Sequence, residues 1–157
     1  MMFKTFFLSL LFLTAGVASA IAQKTNTSYE NMATEVLHRI NKHRADIGLK
    51  PLVMNSVISR IAAEHSTNMG QKKTPFGHDG MNERVTRAGK ELKISYSRWG
   101  ENVANGQKDA ADVVAMWLES KGHRENIEGD YNLTGIGIAK GKNGSLFFTQ
   151  IFIKKSN

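Results

Sequence analysis

Apolar residues recur at helical spacing early in the chain. Met32, Val36 and Ile40, with Ala33 and Leu37 beside them, form one stripe. Thr27 and Glu30 stand at capping-box spacing, so the pattern predicts a helix starting at Thr27. Gly48 predicts its end, and Pro51 makes the following LKPLVMN a loop. A second stripe, Ile58, Ile61, Ala62, His65 and Met69, follows a cap at Asn55 or Ser56 and closes at Gly70.

The period then changes. KKTPFGHDG reads as a loop, and MNERVTRAG as a short helix closed by Gly89. KISYSRW alternates like a strand, and GENVANGQKD reads as an irregular turn region. Asp109 caps a further helix through Trp117 to about Ser120, with Val113, Val114 and Trp117 facing the core. KGHRENIEGDYN reads as a loop or helical turn. LTGIGIAK and SLFFTQIFIKK are two strands joined by GKNG, where Asn143-Gly144 is a hairpin signal. Helices first and a hairpin last argue α+β, with helices packed on an antiparallel sheet.

The N-terminus changes where this domain works. Lys4 precedes an apolar run from Phe6 to Leu13, and ASA at Ala18 to Ala20 supplies small residues for cleavage. This predicts a signal peptide over 1–20, with AIA allowing cleavage after 22. The run is too short for a transmembrane anchor. A flexible lead over 21–28 and one folded domain over 29–155 complete the expected organisation. We expect a secreted, periplasmic or extracellular protein, and a monomer. The chain has no cysteine, so packing alone must hold it together.

The formal net charge is +7, one unit of which resides on Lys4. The excess is spread along the sequence. It suits an anionic envelope surface and argues against nucleic acid, for which a basic block with interleaved aromatics is missing.

Candidate chemistry gathers at glycines and element ends. His78 lies in a glycine-flanked loop, Glu101 follows Trp99-Gly100, and Glu119 and His123 flank Ser120, Lys121 and Gly122. Imidazoles and carboxylates are the ingredients of a divalent-metal site or of acid–base catalysis. An equally simple reading has Glu101 satisfying loop amides and His123 capping a helix. His65, on an apolar stripe, reads as a core histidine. No serine elbow or HExxH is present. GIGIAKG has the glycines of a phosphate loop, but no helix follows it.

Taken in order, INKHRADIGLKPLVMN, AAEHSTNM, FGHDGMNERV, GENVANG, VVAMWLESKGHRENI, TGIGIA and FFTQIF resemble the CAP superfamily in its bacterial, cysteine-free form. This is the SCP domain of cysteine-rich secretory proteins, antigen 5 and pathogenesis-related 1 proteins. The resemblance covers about Glu30 to Lys154. It implies a three-layer α–β–α sandwich with a central antiparallel sheet, and a cleft of two histidines and two glutamates. Several members hold zinc or another divalent cation there.

Carried over residue by residue, His78 matches the first cleft histidine and Glu101 the glutamate of G-E-N. The second glutamate falls three residues after the helix tryptophan, where this chain has Ser120, with Glu119 one position early. The second histidine precedes the Y-T-Q-like segment of the late strand, where this chain has Phe147. His123 is its substitute, so His78 and His123 become the metal-ligand candidates. Thr149 and Gln150 match the family's T-Q and read as structural. Trp99, Trp117, Phe148 and Phe152 read as core.

Three functions follow. One is a binding module whose cleft takes a lipid, a peptide or an envelope-derived ligand. Another is a metal-assisted hydrolase with Glu101 as general base, against which the incomplete tetrad counts. The last is a non-catalytic interaction protein with a vestigial cleft.

Overall fold

The computed structural model describes residues 8–156. The positive n-region of the expected leader lies outside the described residues, as do the side chains of residues 1–22. Helix α1 runs from Leu8 to Asp46 without a break. The helix therefore does not start at Thr27, and residues 21–28 lie within it. The Thr27 hydroxyl donates to the Gln23 carbonyl at 3.1 Å instead of capping. The leucines and alanines upstream are good helix formers, and no glycine–proline stop separates them from the stripe. Among the described residues no helix is long and apolar enough to cross a membrane.

The remaining elements are β1 (Val53–Met54), α2 (Ser56–Gly70), α3 (Met81–Leu92), β2 (Tyr96–Asn105), α4 (Ala110–Glu119), α5 (Lys121–Ile127), β3 (Leu133–Lys140) and β4 (Leu146–Lys155). Asn55 is the cap of α2, accepting from the amides of Val57 at 3.0 Å and Ile58 at 3.2 Å. Asp109 caps α4 through the Asp112 amide at 2.9 Å. Helix α3 passes Gly89 and closes at Lys93, which adopts φ 53°. Gly89 serves packing instead: a Cβ there would lie 2.6 Å from the Tyr96 ring.

The strands form one sheet in the order β1-β3-β4-β2. Both β3 and β2 pair antiparallel with β4, while the short β1, absent from the sequence reading, lies parallel to β3. GENVAN is not a turn; it is the body of β2, with Gly100 opposite Phe152 and Asn102 opposite Gln150. Its glycines and amides disguise a strand that the apolar β4 beside it holds in place.

Alternation along β4 builds two cores. Phe148 and Phe152 face α1 and α4, joining Val36, Ile40, Val113 and Trp117. Ile151 and Ile153 face α2 and α3, joining Ile58, Ile61, Val85 and Ala88. The result is helices on both faces of a mostly antiparallel sheet. Helix α2 lies directly on β3 because Gly135 and Gly137 have no side chains. A Cβ on Gly137 would stand 1.9 Å from the Ala63 nitrogen. The glycines of GIGIAKG are thus packing residues. Buried Arg44 ties the ends of this architecture together, donating to the carbonyls of Lys50, Ile127 and Gly129.

Candidate functional site

Period-two alternation sends neighbours in β2 to opposite faces. Glu101 points to the α2/α3 side and Asn102 to the α5 side. The loop before α3 brings His78 over the strand, using glycines at φ 147° (Gly77) and φ 77° (Gly80). His78 Nδ1 donates to Glu101 Oε1 at 3.0 Å.

Arg84, in the first turn of α3, completes the arrangement. Its Nε donates to Glu101 Oε2 and its Nη2 to Oε1, both at 2.8 Å. The Glu101 side chain is 0% exposed and that of Arg84 13%, so this is a buried, bidentate ion pair. Arg84 Nη1 also donates to the Asp79 carbonyl at 2.7 Å, fixing the loop that carries His78. His65 supports that loop from below: its Nε2–H donates to the Gly77 carbonyl at 2.9 Å. Burial holds the His65 imidazole below its ordinary pKa, helped by the Arg84 charge and opposed by the Gly77 hydrogen bond. His65 is a core histidine, as its stripe predicts, but one that braces the site.

On the other side of β2, fully buried Asn102 donates to the His123 carbonyl at 3.0 Å. Asn126 donates to Asn102 Oδ1 at 2.9 Å and to the Glu101 carbonyl at 3.1 Å. Helix α5, and His123 with it, is thereby riveted to the strand. Burial pushes the His123 pKa down, and the nearby His78 charge adds to this. Its Nδ1 is buried and has no hydrogen-bond partner among the described residues.

The other predicted residues fall elsewhere. Glu119 is exposed on the last turn of α4. Ser120 links α4 to α5 and makes no side-chain cap. Phe147 packs with Met69 and Val103, and edge-on against Phe76. Thr149 bonds Ser66, and Gln150 donates to Thr134, both buried. Trp117, Phe148 and Phe152 are core. Trp99 is not: it is 40% exposed, with its Nε1–H on Asn82 Oδ1 at 3.2 Å.

Sequence reasoning missed Arg84. The signal was there: an arginine in the first turn of a helix, directly after the histidine loop, needs an acceptor if buried.

The residues present do not fit a divalent cation in this arrangement. Among the described residues no three His, Asp or Glu side chains come together as a metal-holding group. Both Glu101 oxygens already face a guanidinium, whose charge repels a cation.

The family model described as the cysteine-rich secretory protein family, CAP, matches residues 37–152. This chain belongs to the CAP family. The uncharacterized protein YkwD of Bacillus subtilis is 38% identical over 149 residues, which are 90% of this chain and 57% of that protein. The chain therefore spans little more than half of that relative. An extracellular Bacillus anthracis protein containing an SCP domain superposes with TM-score 0.70 at 26% identity, over 81% of this chain and 41% of that one. An outer surface protein of Borrelia burgdorferi superposes with TM-score 0.68 at 22% identity, over 80% of this chain and 94% of that one, and shares the fold. The mixed architecture of this CAP domain is the one its sequence motifs imply.

Proposed function

We propose that this CAP domain is a ligand-binding module that works outside the cytoplasm and takes an envelope-derived ligand at the surface around His78. One observation carries the choice of binding over hydrolysis. The Glu101 carboxylate is enclosed and held at both oxygens by Arg84. A general base must reach the proton it removes, and this carboxylate is 0% exposed. The group left for a ligand is the His78 imidazole, whose side chain is 50% exposed. Export is supported by the leader pattern and by relatives described as extracellular or outer-surface proteins.

The test is a titration with soluble peptidoglycan fragments, following the imidazole signals of His78 and His123 by nuclear magnetic resonance. Mass spectrometry of the same samples follows the fragments. Saturable shifts, lost in His78→Ala, with fragments left intact, are expected. Cleavage that disappears in Glu101→Gln would replace this reading with a hydrolase. Absence of any shift would remove the ligand class.

A further inference from the structure

At the edge of the sheet opposite β2, strand β1 stops early. It pairs only with Leu133 and Thr134, after which the chain turns into α2. From Gly135 to Ala139, β3 therefore has β4 on one side and, among the described residues, no strand on the other.

The direction of the edge groups follows from the bonds that β1 does make. The Val53 and Asn55 amides donate to the carbonyls of Asn132 and Thr134. Even-numbered residues of β3 thus aim their backbone groups outward. Ile136 conforms, because its N–H donates to Ser59 Oγ at 3.2 Å. The Ile136 carbonyl and both backbone groups of Ile138 continue that row with no described strand beside them.

This edge is the floor of a groove of about 690 Å³, walled by Tyr29 and Ala33 of α1 and by Ser59 and Ala63 of α2. Such a volume lies within the range of ligand sites. The two helices cover opposite faces of the sheet and leave the space between them open along the strand. The α1 side presents Ala33, Ile136 and Ile138, and the α2 side presents Ser59 and Ala63.

We propose that this groove binds an extended peptide, which adds to β3 as a strand in line with β1. Main-chain hydrogen bonds to Ile136 and Ile138 hold it, and side chains alternate between the two walls. Apolar residues face Ile136, Ile138 and α1; small or hydroxyl residues face Ser59 and Ala63. β1 is the in-chain precedent for this pairing. The groove lies at the far edge of the sheet from Glu101, so this site is independent of the one around His78.

The probe is acetyl-Val-Thr-Val-Thr-Val-amide, titrated into the full chain while backbone amide exchange is read residue by residue. In the free protein the Ile138 amide should exchange faster than its neighbours Gly137 and Ala139, which bond β4. The peptide should slow Ile138 by about tenfold or more, in a saturable manner. Two controls separate strand addition from general stickiness: the same peptide N-methylated at alternate residues, and Ala63→Phe, which fills the groove. Both should abolish the slowing. The proposal is overturned if millimolar peptide leaves Ile138 unchanged, if the N-methylated peptide protects it equally, or if a folded Ala63→Phe protein still shows the protection.

Discussion

Arg84 and Glu101, seventeen positions apart in sequence, meet as a bidentate ion pair with both bonds at 2.8 Å. The pair welds the first turn of α3 to the edge strand and sets the loop of His78 between them. Removing Arg84 leaves the buried Glu101 carboxylate with the His78 hydrogen bond but no guanidinium. Arg84→Ala should therefore lower stability by about 3–5 kcal/mol in urea melts. Arg84→Met combined with Glu101→Leu should recover much of that loss. A single-mutant loss below about 1 kcal/mol would mean that the pair is solvated.

The lowered pKa of His65 has a defined sign. The unfolded chain takes up this proton near the ordinary histidine value of 6.5, before the folded protein does. Stability is complete above that pH and falls as the pH drops below it. His123, lowered for the same reason, acts in the same direction. His65→Gln should flatten the decline of the urea midpoint between about pH 7 and pH 5. An unchanged slope would remove His65 as its source.

Gly137 tests the seating of α2. A Cβ there would meet helix backbone at 1.9 Å, which no rotamer change relieves. Gly137→Ala should cost at least about 1–3 kcal/mol, or prevent folding. Gly122→Ala, with nothing within 4 Å, should melt like the parent protein. Equal melting of the two variants would contradict the close approach.

Metal binding offers a fourth test. Calorimetry with zinc should give no saturable site, since two histidines and a guanidinium-paired glutamate are a poor donor set. Saturable binding that disappears in both His78→Ala and His123→Ala would show that the cleft rearranges around a cation.

The helix stripes, the caps at Asn55 and Asp109 and the final hairpin are readable in the sequence because each is local, whereas the capping spacing at Thr27 and the helix end at Gly89 mislead. Asn55, Asp109 and Asn143-Gly144 act within a few residues of where they stand. β2 is not readable through Gly100-Glu101-Asn102. Its strand character comes from β4, some fifty positions downstream. Placing Glu101 near His78 comes from family resemblance, and what Glu101 does there depends on Arg84, a long-range partner that periodicity cannot reveal. Trp99 reads as core in the sequence yet lies at the surface, because aromatic character is silent on which rim of an edge strand faces water.

The sheet order has a consequence for when the site comes into being. β4, which follows every residue of the site in the sequence, is the strand inserted between β3 and β2. Until it arrives, the strand of Glu101 and the strand beneath α2 have nothing in common to pair with. The site is therefore completed only after all of its own residues have been made, and a chain interrupted before Leu146 holds His78, Arg84 and Glu101 without the strand that sets them in place.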